Sequence, residues 1–181
     1  MNRRNQTLLV FALLLGIAVA GRLLSKEMSL WNFTPVAAVG MFAGFFFERK
    51  SWAAVMSVAA MAISNWIIGQ NYLHVGVLLT VYAALLFPIL LRQILRDNLT
   101  APRVLGCAIL SSVVFSLMTN FAHWWFTMPH TLDDLGAAYI QAQPFFRMTL
   151  AGDLCFSVLL FGGYAWGMLG NRELAPVRSS R

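Results

Sequence analysis

Six apolar runs divide this chain, and most approach the roughly 20 residues a helix needs to cross the hydrocarbon of a bilayer. They occupy about residues 7–24, 34–47, 52–68, 72–91, 103–125 and 148–169, with short polar connections between them. Nothing between the runs is long enough for a soluble domain, so function must reside in or at the membrane. Of the 181 residues, 59% are hydrophobic and only 11% charged, whereas in soluble domains about 25% are charged. The expected fold is an all-α integral membrane protein. A single bundle of six transmembrane helices fills residues 1–170, and residues 171–181 form a polar tail.

Orientation follows from where the cations lie. With six spans, the N-terminus, the hinges at Arg49 and Arg92 and the C-terminal tail share one side and hold ten Lys and Arg residues. The other side holds Arg22, Lys26 and Arg147. The positive-inside rule therefore puts both termini in the cytoplasm. The net charge of +6 comes as small groups between apolar runs, the pattern of topology signals and not of a nucleic-acid surface, so no nucleic-acid partner is expected. Arg3 and Arg4 ahead of the first run imitate a secretory signal, but the run exceeds a signal core and Gly21-Arg22-Leu23 offers no cleavage site, so this segment should be retained. Cys107 and Cys155 lie inside apolar runs without metal or disulfide spacing and read as small buried hydrophobes.

The unusual chemistry concentrates between Asn120 and Asp153. An ionisable group inside hydrocarbon is expensive unless it faces a protein interior or a wet cavity, which makes Asp153 a candidate site residue. Arg147 lies six residues before it, about 9 Å along a helix axis and on another face, so the expected partners of Asp153 are Asn120, Thr119 or His123 on the fifth run. Asn32, Thr34, Asn65, Asn120, His123, Arg147 and Asp153 all fall near the outer ends of their runs. In a compact bundle they would converge on one outward-facing cavity, roofed by a long connection from Phe126 to Gln143 in which 132–142 forms a short helix capped by Thr131 or Asp133. Trp124, Trp125 and Phe145 would wall it, among aromatics at the same depth that include Trp31, Phe33, Trp66, Tyr72, Tyr139 and Phe146. The competing reading of these rings is an interfacial belt.

Three further features complete the reading. Asn32 or Thr34 is placed to cap the second run, with Pro35 in its first turn. The small residues Ala37, Ala38, Gly40, Ala43 and Gly44 argue that this run is buried among other helices. Ala12, Gly16 and Ala20 make a smooth face on the first helix, suited either to tight packing in the bundle or to docking a separate membrane subunit. GxSxG, HExxH, glycine-rich phosphate loops and nucleotide motifs are all missing from the sequence. No enzymatic activity, cofactor or bound metal is expected.

Asn32 to Gly44 (NFTPVAAVGMFAG), Ile63 to Gly69 (ISNWIIG), Thr119 to Trp125 (TNFAHWW) and Gln143 to Leu154 (QPFFRMTLAGDL) resemble the motifs of a family of uncharacterised bacterial membrane proteins. That family is itself similar to the substrate-binding (S) components of energy-coupling factor transporters for vitamins and metals. The resemblance implies a six-helix bundle whose outward loops cap a small-molecule site. It also implies docking through the first helix, here Ala12, Gly16 and Ala20, onto a coupling subunit driven by ATPases. Where the pattern leads one to expect an acidic residue, this chain has Asn65. Two other readings stand beside uptake: a scaffold protein of the cell-shape type, and a solitary transporter without ATPase partners.

Overall fold

A computed structural model describes residues 3–70 and 74–173, and no strand occurs among them. Asn71, expected in the turn before the fourth run, Tyr72, expected at the start of that run, and residues 174–181 of the expected tail lie outside the described residues. Seven helices follow one another: α1 (Arg3–Glu27), α2 (Val36–Phe46), α3 (Lys50–Ile68), α4 (Val75–Leu90), α5 (Arg92–Asp97), α6 (Ala101–Thr127) and α7 (Leu132–Glu173). Five helical stretches are long and apolar enough to cross a membrane: Asn5–Glu27, Lys50–Ile68, Val75–Asp97, Ala101–Thr127 and Leu132–Met168.

The remaining apolar helix, α2, has 11 residues, about 16 Å of helix at 1.5 Å per residue, which is half of the hydrocarbon thickness. So short a helix is tolerable only where protein surrounds it, because its exposed backbone ends would be unsatisfied in lipid. Its small residues permit this: Ala38 through Gly44 are all buried. A Cβ on Gly44 would lie 3.1 Å from the Cα of Ile89 in α4. Beyond its C-terminal end, arginines of α5 complete the backbone. Arg96 donates to the carbonyls of Phe45 (2.8 Å) and Phe47 (2.6 Å), and Arg92 donates to that of Glu48 (2.9 Å). Cations at a helix C-terminus also oppose its dipole. The basic stretch after residue 91, expected as loop, is thus partly helical and serves to hold α2.

Two connections differ from expectation. His74 lies outside α4 as its N-cap, Nδ1 accepting from the Gly76 amide at 3.0 Å. The long roof between the last two runs does not exist as a loop. Only Met128 to Thr131 separate α6 from α7, which continues through Pro144 for 42 residues, about 63 Å. Thr131 caps it: its Oγ1 accepts from the Asp134 amide at 3.1 Å and donates back to the Asp134 carboxylate, satisfying an amide that the first helical turn leaves without an intrahelical partner. Tyr139 Oη donates to the Leu117 carbonyl at 2.9 Å and ties this early part of α7 to α6. A helix that long exceeds the hydrocarbon, so the α6–α7 hairpin carries its tip beyond it.

The main core lies toward the α5 end, with Val39, Met41, Met56, Leu95 and Ala108 at its centre. Leu9, Leu13 and Ile17 of α1 and Leu159 of α7 point outward, as lipid-facing residues do. Trp31, Trp66 and Trp125 are exposed near one end of the bundle, and Trp52 and Trp166 near the other, which for these rings matches an interfacial belt. Cys155, expected to be buried, is exposed on α7. Ala12, Gly16 and Ala20 are exposed as well, and a Cβ on Gly16 would meet nothing within 4 Å. Tight packing of that face within the bundle is therefore excluded.

Candidate functional site

The site grows from two glycines. Gly21 on α1 sits against Pro35, where a Cβ would collide with the proline ring and lie 2.7 Å from its Cδ. From the opposite side, a Cβ on Gly152 of α7 would lie 3.0 Å from the Thr34 amide nitrogen and 3.2 Å from its carbonyl oxygen. Residues 33–35 are thus closely approached by two helices, α7 at the backbone of Phe33 and Thr34 and α1 at the Pro35 ring. Asn32 adopts a left-handed conformation (φ 66°), which asparagine tolerates better than most residues. Contrary to expectation, neither Asn32 nor Thr34 caps α2, which begins after Pro35 without a side-chain cap.

The residue after each glycine is charged, and both charges line one cavity of about 260 Å³. Arg22 reaches it from α1 and Asp153 from α7. Asn32, Thr34, Gln70, Thr119 and Thr149 supply neutral polar groups, and Val36, Met61, Val81, Leu85 and Phe115 the apolar wall. Helices α1, α2, α3, α4, α6 and α7 or their connections all contribute. Each charge has its own support. Arg22 Nη1 donates to Asn65 Oδ1 at 2.7 Å and Ser64 Oγ at 2.8 Å on α3. Asp153 is only 2% exposed and accepts from Ser112 Oγ of α6 at 2.6 Å. Two of the hydroxyls facing the cavity satisfy their own donors by bonding back along their helices, Thr119 to Phe115 and Thr149 to Phe145. The oxygens of both remain acceptors.

A second cavity, about 220 Å³, adjoins the first and shares Asn32, Phe115, Thr119 and Thr149 with it. It lies between the outer halves of α6 and α7 and is lined also by Asn120, His123, Gln141, Phe145 and Phe146. The residues expected to form one pocket therefore divide between two. Asn32 belongs to both, Thr34 and Asp153 to the inner, and Asn120, His123 and Phe145 to the outer. Asn65 acts one step back, through Arg22. Arg147 is exposed and lines neither cavity.

Two expectations need correction. Asp153 meets α6, but at Ser112 and not at Thr119, Asn120 or His123. Ser112 lies eight residues deeper than Asn120, about 12 Å along the axis, because α7 starts at Leu132 and has already descended 21 residues when it reaches Asp153. Asn120 donates instead to Ser116 at 2.7 Å, and His123 Nδ1 pairs with Thr127 Oγ1 at 3.0 Å. Trp124 and Trp125 are not cavity walls: Trp124 Nε1 donates to the Thr131 carbonyl at 3.1 Å, and Trp125 stacks on His130 with ring centroids 4.8 Å apart. Both rings hold the hairpin tip.

Sequence reasoning counted Arg22 as a topology signal and missed its place in the cavity. Its position before the end of the first apolar run, next to a glycine as Asp153 is, was the available clue. The adjacent hydroxyls Ser111 and Ser112 in the middle of an apolar run similarly mark where the carboxylate finds its donor.

Among the described residues the architecture is that of an all-helical membrane protein with a cavity between its helices lined by both polar and apolar side chains. The pattern of the family of unknown function DUF6580 matches residues 2–174, and the chain belongs to that family. Comparison with curated proteins and with solved structures returns no match.

Proposed function

We propose that this protein captures a small molecule from outside a bacterial inner membrane, as an S component of an energy-coupling factor transporter does, with both termini cytoplasmic. One observation carries the reading: a guanidinium and a carboxyl group, each held by its own hydrogen bonds, line one cavity to which α1, α2, α3, α4, α6 and α7 or their connections contribute. Burying such groups is costly, and a scaffold protein has no use for the space between them. Apolar side chains make up nearly half of the inner cavity's lining and polar ones the rest, so placed polar groups can orient a small molecule held there. A guanidinium on the wall argues for an organic solute over a bare metal cation. The outward face of Ala12, Gly16 and Ala20 leaves room for a helix of a coupling subunit to approach closely.

Native mass spectrometry of the gently extracted protein tests this. A solute of defined mass should remain bound, and a membrane partner retained by the wild type should be lost on Gly16→Leu while the monomer persists. A bare polypeptide mass in every mild detergent, with no solute in the denatured extract, contradicts the reading.

A further inference from the structure

Resting on the binding role just proposed, we infer that the solute is a small zwitterion, its anionic group directed to Arg22 and its cationic group to Asp153. The inner cavity already holds one guanidinium and one carboxylate on different helices, α1 and α7, each fixed by its own neighbours, α3 for Arg22 and α6 for Asp153. A solute with both an anionic and a cationic group can bond both of these side chains, whereas a purely anionic or purely cationic solute engages only one of them. The two arms also act separately. Arg22 offers a planar fork suited to a carboxylate or phosphate, while Asp153 offers acceptor oxygens to an ammonium or amidinium.

Size and polarity narrow the class further. About 260 Å³ falls below the roughly 300–1,000 Å³ usual for ligand pockets, so an occupant held within the inner cavity alone has the dimensions of an amino acid or a short amino-carboxylate. Asn32, Thr34, Thr119 and Thr149 line the same cavity and can bond the solute's polar groups. Phe115, Val81 and Leu85 accommodate a short apolar side chain.

The purified full-length protein in lipid nanodiscs is titrated by thermal shift with glycine, β-alanine, 4-aminobutyrate, leucine and glutamine, and with propionate, propylammonium and propionamide as singly charged and neutral counterparts. In parallel, the solute retained by native mass spectrometry is identified by fragmentation. Expected are stabilisation by at least one zwitterion, none by the counterparts, and a retained solute that bears both charges. Arg22→Gln should weaken zwitterion binding about 10- to 100-fold, the equivalent of one hydrogen bond to a charged group. Arg22→Lys, which keeps the charge, should recover part of it, and Cys155→Ser on the outer surface should bind as the wild type does. A retained solute that is neutral or singly charged overturns the zwitterion assignment and leaves the binding role standing. No retained solute together with no shift from any compound overturns both.

Discussion

Gly152→Leu is expected to prevent the chain from reaching its folded state, or to leave it unfolding far below the wild type. The site cannot relax as an ordinary core position does. What a Cβ at 152 meets is the backbone of Phe33 and Thr34, at 3.0 to 3.3 Å, and that backbone is held from behind by Gly21 against Pro35. Overpacking a core costs about 1–3 kcal/mol where side chains can shift, and here neither neighbour is a flexible side chain. Gly21→Leu should fail similarly. Gly163→Leu supplies the control, since a Cβ there meets nothing within 4 Å. Size-exclusion profiles and thermal unfolding in detergent read the outcome. A folded, monodisperse Gly152→Leu protein with an unfolding temperature near the wild type would mean that the close approach at residues 33–35 does not hold the fold together.

The second large effect concerns charge. Asp153→Asn keeps the side-chain shape and still offers Ser112 an oxygen to donate to, so the contact at 2.6 Å can persist while the negative charge is lost. The expected result is a protein that folds with little change in unfolding temperature but retains its solute about 10- to 100-fold more weakly, the loss associated with a hydrogen bond to an ionised group. If Asp153 served only to join α6 and α7, the pattern would reverse: stability would fall, and the molecules that fold would bind normally. Solute retention measured beside thermal unfolding separates the two.

These expectations rest on features of unequal legibility in the sequence. Membrane insertion and the burial of α2 were readable, because apolar length and a run of small residues each have one good physical solution. The meeting of the NFTP and GDL motifs at Thr34 and Gly152 was readable as convergence at one end of the bundle, though not as contact. The depth of Asp153 was not, since it depends on α7 continuing through Pro144. A proline amid Gln, Asp and Thr residues reads as a loop, and only tertiary contacts such as Tyr139 to Leu117 reveal a helix. Arg22 was misread for a related reason. A cation near a helix end is usually a topology signal, and its turn inward depends on Ser64 and Asn65 lying across from it on α3, a pairing that spacing along the chain does not encode.

The central claim is that the space between Arg22 and Asp153 is a solute site entered from outside, and modification of one wall residue tests it most directly. Thr149 lines both cavities. Thr149→Cys in a Cys155→Ser background leaves Cys107 as the remaining native thiol, and that one is buried. A membrane-impermeant thiol reagent added to the outer face of intact cells should label the introduced thiol, labelling should slow when the retained solute is supplied, and the labelled protein should no longer hold that solute. Labelling confined to the cytoplasmic face, or solute retention unchanged after complete modification, would contradict the account.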